Sequence, residues 1–221
     1  MIAICDYDAG NIRSVQRACT HLGYEYTLTR DRNEILSADH VILPGVGSFG
    51  NAMEKLQEYG IDSVLHEVNA KGTPILGICL GLQLFFEGSE ESPGVRGLGL
   101  MKGNILRIPD QNGTLKIPHM GWNSLSYPCR GRLFEGIPEN TFVYFVHSYY
   151  LPVCGTGTEG NDGTMVTAAA DYGVMVGASV EKDNLFACQF HPEKRSEWGL
   201  KILDNFLKVL RYADEENNPL P

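Results

Sequence analysis

The 221-residue sequence is poor in positive charge and lacks long apolar runs and closely spaced cysteine pairs. Its 18 Lys and Arg residues against 27 Asp and Glu residues give a net charge of −9. This balance argues against nucleic-acid binding, because such proteins carry a basic patch or stripe. The first residues lack the basic region and apolar run of a secretory signal. The longest uncharged stretch, residues 140–158, contains histidine, proline and glycine and does not predict a membrane span.

The six cysteines include no Cys-x-x-Cys pair. A zinc site is therefore not expected, and no metal or other cofactor is predicted. Without a secretory signal, the cysteines are interpreted as reduced thiols of a cytoplasmic protein. The simplest expectation for each of them is a small buried hydrophobic side chain.

The first half of the sequence alternates between strand and helix patterns. Short apolar runs predict strands at Ile2–Cys5, residues 24–28, His40–Leu43 and residues 73–78. Helices are predicted from Ile12 with Asn11 as the cap, over residues 51–71 with a break near Gly60, and over residues 80–87. This α/β order predicts a doubly wound, mostly parallel central sheet with helices on both faces.

The second half is richer in strands, which the pattern predicts at residues 142–146, 164–169, 174–180 and 185–190. A last helix is predicted over residues 196–212, followed by a polar tail at residues 213–221. No linker or low-complexity stretch separates the halves, so the sequence predicts one domain over residues 1–221.

The segment Gly77-Ile78-Cys79-Leu80-Gly81 lies between a predicted strand and a predicted helix. This is the context of a nucleophile elbow, G-x-S-x-G, with sulfur in place of oxygen. The flanking glycines allow a sharp turn that lifts the side chain above the sheet. The start of the following helix is expected to favour a thiolate. Cys79 is therefore predicted to be a nucleophile rather than a buried structural thiol.

A nucleophilic cysteine needs a base, and His191 is the best candidate, in Gln189-Phe190-His191-Pro192-Glu193. Pro192 favours an extended backbone at His191. Side chains two residues apart in an extended segment point the same way. Glu193 is thus predicted to hydrogen-bond one imidazole nitrogen and to hold the other towards Cys79, as the third member of a triad.

The loop Gly45-Val46-Gly47-Ser48-Phe49-Gly50 matches the dinucleotide-binding pattern G-x-G-x-x-G. A dinucleotide site also needs an acidic residue at the end of the next strand, and here that strand ends at Cys79. We therefore interpret the loop as an oxyanion hole, in which glycines let backbone N–H groups turn towards a developing negative charge.

Three motifs in one order resemble the class I, or triad, glutamine amidotransferases: Pro44-Gly45-Val46-Gly47, residues 77–81 and His191-Pro192-Glu193. The resemblance spans nearly the whole chain. Four segments are similar to the branch of this family that serves histidine biosynthesis: residues 6–11, 44–49, 118–123 and 147–150. Three features depart from that branch: Asp8 replaces the usual glycine, Arg195 replaces a common serine, and the glycine-rich segment 153–164 is longer than usual.

The resemblance implies a mechanism and a partner. Cys79 attacks the side-chain amide of glutamine, His191 protonates the departing ammonia, and Glu193 orients His191; water then hydrolyses the glutamyl thioester. The other roles it implies are an oxyanion hole at Val46, Gly47 and Leu80, substrate contacts at Gln83, Ser148 and Tyr149, and a partner-facing surface at Asn11, Met120, Trp122 and Lys194. The implied partner is a (β/α)8-barrel cyclase subunit, which receives the ammonia within a heterodimer.

Other interpretations stay open at the level of sequence. Gln83 could be a polar residue on a helix face, and Trp122 could belong to the core. A cysteine peptidase or a thiol-stress protein could use a similar elbow, although Glu193 and the loop at residues 44–47 favour amide hydrolysis. A catalytically dead regulatory subunit is disfavoured by the intact triad. A glutaminase serving purine or anthranilate synthesis is the alternative within the family, and residues 118–123 favour the histidine branch.

Overall fold

The computed structural model describes residues 1–153, 162–194 and 196–211. Its helices are Ile12–His21 (α1), Arg32–Ser37 (α2), Phe49–Glu58 (α3), Ile61–Ala70 (α4), Leu80–Leu84 (α5) and Glu197–Leu207 (α6), with a 3-10 turn at Arg132–Phe134. Its strands are Ile2–Cys5 (β1), Tyr26–Thr29 (β2), His40–Leu43 (β3), Ile75–Ile78 (β4), Gly88–Ser89 (β5), Asn104–Arg107 (β6), His119–Ser124 (β7), Phe142–His147 (β8), Tyr149–Tyr150 (β9), Met165–Asp171 (β10), Met175–Lys182 (β11) and Leu185–Cys188 (β12). Arg195, the polar tail at residues 213–221 and most of the glycine-rich segment 153–164 lie outside the described residues.

Seven strands form the central sheet, in the order β10-β11-β12-β4-β3-β1-β2. The five neighbours from β12 to β2 are parallel, and β10 and β11 extend the sheet in antiparallel orientation. The predicted mostly parallel sheet is therefore confirmed. In the register of β12 with β4, Cys188 pairs with Ile78. The next residues, Gln189 and Cys79, consequently leave the same edge of the sheet side by side.

Alternate residues of the parallel strands face two separate cores. Ala3, Val41 and Ile75 pack into the core that contains α2, α3 and α4. Ile4, Ile42 and Leu76 pack into the opposite core, with α1 and α6. Because both faces are covered, β1, β4 and β12 are buried and free of polar side chains at every position, which is why they were recognisable as continuous runs.

Two smaller sheets from the strand-rich second half lie beside the central one. Strands β5, β6 and β9 form the first, and β7 and β8 form a two-stranded antiparallel ribbon. Strands β10 to β12 of the same half join the central sheet directly. This mixing of strands from both halves supports the proposal of one domain over residues 1–221.

Several predicted boundaries are wrong for local reasons. The helix α2 gave no signal because it is short and buries only Ile35; Asp31 caps it by accepting hydrogen bonds from the backbone of Asn33 and Glu34. Asn11 occupies the N-cap position of α1, but its side chain caps no backbone group. The helix predicted over residues 80–87 ends at Leu84. The predicted break at Gly60 is confirmed, with a left-handed φ of 68°.

Asp8, which departs from the expected glycine, has a left-handed φ of 63°. Glycine adopts this conformation without strain. The Asp8 carboxylate accepts hydrogen bonds from Arg30 and from the Tyr59 hydroxyl, and the Tyr59 bond is the main cause of its lowered pKa. These contacts explain how an aspartate is held in a backbone conformation that favours glycine.

None of the helices in the described part of the chain is long and apolar enough to cross a lipid bilayer.

Candidate active site

Cys79 stands on a strained turn between β4 and α5. Its backbone has φ 55° and ψ −105°, a conformation that non-glycine residues rarely adopt. A Cβ atom on Gly77 would lie 2.6 Å from the Gly81 carbonyl oxygen, and one on Gly81 would lie 2.0 Å from the Leu43 carbonyl oxygen. Both glycines are therefore required for the chain to turn this sharply, as the sequence predicts for a nucleophile elbow.

The expected stabilisation of a thiolate by the following helix needs correction. The helix α5 has only five residues, so few peptide dipoles add up at its N-terminus. The groups that contact the Cys79 sulfur are instead the Val146 carbonyl oxygen at 3.9 Å and the Gln189 side-chain amide nitrogen at 3.7 Å. The Val146 carbonyl oxygen can only accept from the thiol, so stabilisation of a charged sulfur must come from the Gln189 amide and from His191.

His191 and Glu193 form the predicted pair. The His191 Nδ1 atom lies 2.8 Å from Oε1 of Glu193, and both side chains are buried. Nε2 of His191 has no hydrogen-bond partner of normal geometry among the described residues. The second oxygen of Glu193, Oε2, is likewise buried without a partner there, while Oε1 also accepts from the Asn11 amide at 3.3 Å. One imidazole nitrogen is thus fixed and the other is available.

The electrostatics favour a protonated His191. Burial alone would lower its pKa, but the Cys79 and Glu193 side chains outweigh burial and raise the pKa to about 10. The imidazole therefore carries its second proton at neutral pH. A group that holds a proton on Nε2 in this place can deliver it to a leaving amine.

A cavity of about 430 Å³ opens above Cys79. Its lining brings together the predicted nucleophile, oxyanion and substrate residues Val46, Gly47, Cys79, Leu80, Gln83, Ser148 and Tyr149, along with Glu91, Pro118, Val146 and His147. The volume is in the usual range for a small-molecule site.

The oxyanion residues surround the cavity without forming a complete hole. The backbone N–H of Leu80 donates to the Gly45 carbonyl oxygen at 3.3 Å. The Pro44 carbonyl oxygen accepts a hydrogen bond from the Tyr7 hydroxyl at 2.5 Å. Gly47 has a φ of 103°, a backbone conformation that only glycine adopts without strain. In this conformation of the loop, the Leu80 N–H, which is one of the expected oxyanion donors, is already paired with a carbonyl oxygen.

The substrate residues are also partly engaged by the protein. The Gln83 amide nitrogen donates to the Tyr149 carbonyl oxygen and to the Gln189 side-chain oxygen, both at 3.0 Å. The Ser148 carbonyl oxygen accepts from the backbone of Ile108 at 2.9 Å. Gln83 is buried in the wall of the cavity, so its alternative as a residue on an exposed helix face is wrong.

The four residues expected to face a partner lie on one side of the molecule. Met120 and Trp122 are 61% and 51% exposed on the outer face of the β7–β8 ribbon, so the alternative of Trp122 as a core residue is wrong. Trp122 packs edge-on against Tyr144, and the Lys194 ammonium lies 5.5 Å from the same ring. Asn11 joins this region through its bond to Glu193.

Sequence reasoning assigned no role to four polar residues of the site. Glu91 lines the cavity, Gln189 contacts the Cys79 sulfur, and His119 and His147 form a buried pair with 3.0 Å between their ring nitrogens. Gln189 belongs to the sequence motif around His191. The parallel pairing of β12 with β4 places it beside Cys79, and this pairing could have revealed its role had it been predicted.

The described residues contain no group of three or more His, Cys, Asp or Glu side chains placed to hold a metal ion.

A family model for glutamine amidotransferase class-I matches residues 3–210. The chain belongs to the class I glutamine amidotransferase family. Among curated members it is 47% identical over 212 residues to the imidazole glycerol phosphate synthase subunit HisH of Moorella thermoacetica, covering 96% of both chains. It is 43% identical to the subunit of the same name from Methanocaldococcus jannaschii, covering 95% of this chain and 100% of that one.

Two solved structures share the fold at low sequence identity. One is PurLQS from Thermotoga maritima, with a TM-score of 0.67, 20% identity and coverage of 93% of this chain and 96% of that one. Another is the glutaminase domain of Trypanosoma brucei CTPS, with a TM-score of 0.64, 17% identity and coverage of 94% and 93%. Both support the α/β description of the family fold.

Proposed function

We propose that this chain is the glutaminase subunit of an imidazole glycerol phosphate synthase in histidine biosynthesis. It hydrolyses L-glutamine to glutamate and ammonia and delivers the ammonia to a cyclase subunit. The observation that carries the proposal is that Cys79, which lines a cavity of about 430 Å³, interacts with His191 of the buried His191–Glu193 pair at one edge of the sheet. Membership of the class I glutamine amidotransferase family supports it.

The mechanism begins with the thiolate of Cys79, which attacks the side-chain amide carbon of glutamine and forms a tetrahedral adduct with a negatively charged oxygen. Backbone N–H groups of Val46, Gly47 and Leu80 bind that oxygen. Protonated His191 donates the proton on Nε2 to the amine, the C–N bond breaks, and ammonia leaves behind a glutamyl thioester. Neutral His191 then takes a proton from water, whose oxygen attacks the thioester and releases glutamate and the Cys79 sulfur.

Glu193 serves this cycle by accepting the hydrogen bond from Nδ1, which keeps Nε2 directed at the reacting atoms. Glu91 supplies the negative charge that the α-ammonium group of glutamine requires. Among the described residues that line the cavity, Glu91 is the one with a carboxylate. This carboxylate is held in place because it accepts a hydrogen bond from the Phe49 backbone N–H at 2.7 Å. Gln83 keeps its side-chain oxygen for the substrate because its N–H groups are already paired.

The choice of partner rests on the relatives. Members with the name imidazole glycerol phosphate synthase subunit HisH are 43–48% identical to this chain over at least 95% of its length. This level of identity favours the histidine branch over a glutaminase of purine or anthranilate synthesis. The exposed face at Met120 and Trp122, with Lys194 beside it, is suited to dock a (β/α)8-barrel cyclase, since exposed apolar patches mark interaction sites.

We also place the protein in the cytoplasm. Cys5, Cys19, Cys79, Cys129 and Cys188 are free thiols. A nucleophilic thiol depends on a compartment that keeps cysteines reduced.

The test is Cys79→Ser, assayed for glutamate release and for use of glutamine by the cyclase partner. We expect loss of glutamine hydrolysis with an unchanged fold, because a neutral alcohol lacks thiolate nucleophilicity. The variant should still support the cyclase reaction when free ammonia is added. Full glutamine turnover by a clean preparation of the variant would contradict the proposal.

A further inference from the structure

A chain of buried hydrogen bonds runs from β7 to the sulfur of Cys79. On one side, Asn123 contacts His119 at 3.4 Å, His119 contacts His147 at 3.0 Å, and His147 contacts the Tyr149 carbonyl oxygen at 2.9 Å. On the other side, the same carbonyl accepts from Gln83, which bonds to Gln189, which reaches Cys79. The six side chains belong to five different elements or loops.

The Tyr149 carbonyl fixes the direction of every bond in this chain. A carbonyl oxygen only accepts, so Gln83 must present its N–H groups to it. Gln189, facing a second N–H of Gln83, must present its side-chain oxygen there. The NH₂ group of Gln189 is then left pointing at the sulfur, 3.7 Å away.

The histidine side follows the same logic. His147 must carry its proton on Nδ1 to donate to the carbonyl, so its Nε2 accepts from Nδ1 of His119, whose Nε2 then accepts from Asn123. This order requires two neutral rings. Burial lowers the pKa of His119 to about 4 and, with the neighbouring His119, that of His147 to about 3. Both rings are therefore neutral at neutral pH.

We propose that Gln189 is a further catalytic residue, which donates an N–H hydrogen bond to the Cys79 sulfur when that sulfur is negatively charged. The inference rests on the proposed function, because it needs Cys79 as the nucleophile. Gln189 is fully buried and its side chain is held in place by Gln83, so the donor is present before glutamine binds. His119 and His147 are positioning residues that hold the Tyr149 carbonyl and, through it, the amide of Gln83.

A preformed donor at the sulfur serves two steps. It stabilises the thiolate that attacks glutamine, and it stabilises the sulfur as the leaving group when water opens the thioester. Hydrogen bonds to charged groups are worth more than neutral ones, enough to change a rate by about ten- to hundredfold. The expected effect is therefore on kcat and on the reactivity of the thiol, with little effect on KM for glutamine.

The experiment compares Gln189→Met with the wild-type chain in two assays. Iodoacetamide alkylation at pH 7, followed by mass spectrometry of the Cys79 peptide, reports the reactivity of the sulfur without glutamine. Steady-state glutamine hydrolysis with the cyclase partner reports kcat and KM. We expect alkylation and kcat to fall by about ten- to hundredfold, with KM changed less than threefold.

The matched control is Asn184→Leu. Asn184 is another buried amide, whose N–H groups donate to the Asn69 and Thr73 carbonyl oxygens away from the cavity. Its loss should lower stability without slowing alkylation of Cys79. An equal slowing in both variants would show that Gln189 acts only through packing and would overturn the inference.

Gln189→Glu at pH 8 gives a second test if the methionine variant does not fold, since glutamate keeps the shape and still accepts from Gln83. Alkylation should again be slower than in the wild type. Wild-type alkylation and kcat in any folded Gln189 variant would overturn the role of Gln189, whereas the Cys79→Ser result alone decides the proposed function.

Discussion

On one side of the catalytic cleft His191 is bonded to Glu193 at 2.8 Å and both side chains are buried, whereas on the other side the Leu80 N–H is still paired with the Gly45 carbonyl oxygen. The triad side is held by the parallel pairing of β12 with β4, and the bond between His191 and Glu193 is already formed there. The loop side depends on glycines, and Val46 in it is more than one third exposed. The nucleophile and its acid–base partner are thus formed in the isolated chain, while the oxyanion hole is incomplete.

From this difference we propose a regulatory role for the loop. Rotation of one peptide near Gly45 or Val46 would release the Leu80 N–H and bring a second donor into the cavity. Loss of one oxyanion donor costs about 10²–10³-fold in rate, so a single rotation suffices for a switch. Lys194 follows Glu193, and Glu193 lines a small pocket together with Gly45 and Val46, so a partner docked on Met120, Trp122 and Lys194 would act beside the loop.

The largest expected effects come from breaking the formed side. His191→Ala should lower kcat by about 10²–10⁴-fold, because it removes the group that moves the proton. Glu193→Ala should cost less, about ten- to hundredfold, because the imidazole stays and only its hydrogen bond is lost. Steady-state glutaminase assays of both variants in complex with the cyclase show which variant loses more of its kcat. A larger loss in Glu193→Ala would mean that this carboxylate acts directly on the substrate.

Glu91→Gln sharpens the comparison on the substrate side of the cleft. Removal of one charge partner of the α-ammonium should raise KM for glutamine by roughly tenfold or more, since a hydrogen bond to a charged group is worth about 1.5–3 kcal/mol. The kcat value should change less, because the contact is equally present in the ground state and the transition state. Inhibition by substrate analogues without the α-amino group should be unaffected. An unchanged KM for glutamine would show that Glu91 does not bind the substrate.

The smallest expected effect is a pH dependence of stability from His191. Its pKa is raised to about 10 in the folded chain, against about 6.5 for an unfolded histidine. The folded state therefore holds the proton more tightly, so this stabilisation is complete below about pH 6.5 and is lost as the pH rises to about 10.

Urea unfolding of the wild type and of His191→Gln at intervals from pH 6 to pH 10 measures this contribution. The difference in unfolding free energy between the two should decline across that interval. A difference that stays constant or grows with pH would show that His191 is neutral in the folded chain.

Local sequence patterns predicted most of the sheet, the turn at Cys79 and the pairing of His191 with Glu193, because each depends on residues close together in sequence. The continuous apolar runs marked β1 and β3, and the two glycines around Cys79 marked the turn. The role of Gln189 depends on the pairing of β12 with β4, and the pair of His119 and His147 depends on the register of β7 with β8. These contacts join residues 28 to 110 positions apart, for which no local pattern exists.

The boundary errors have a similar origin. Asn11 has a left-handed φ of 65°, and its side-chain oxygen accepts from the Ser14 hydroxyl instead of a backbone N–H, while its amide donates to Glu193, 182 positions away. The helix α5 ends early because the backbone N–H of Phe86 and of nearby residues closes a tight turn back onto the last helical turn. A side-chain bond and a tertiary contact of Asn11 decided the first case, whereas a local backbone turn ended the helix in the second.

The most direct measurement of the central claim compares two reactions of Cys79 in the isolated chain and in the complex with the proposed cyclase partner and the substrate of that partner. Alkylation by iodoacetamide needs the sulfur but no oxyanion hole, whereas glutamine hydrolysis needs both. We expect kcat/KM for glutamine to rise about 10²–10³-fold in the complex while the alkylation rate of Cys79 does not rise with it. Full glutaminase activity in the isolated chain, or a parallel rise in alkylation, would contradict a formed triad beside an incomplete oxyanion hole.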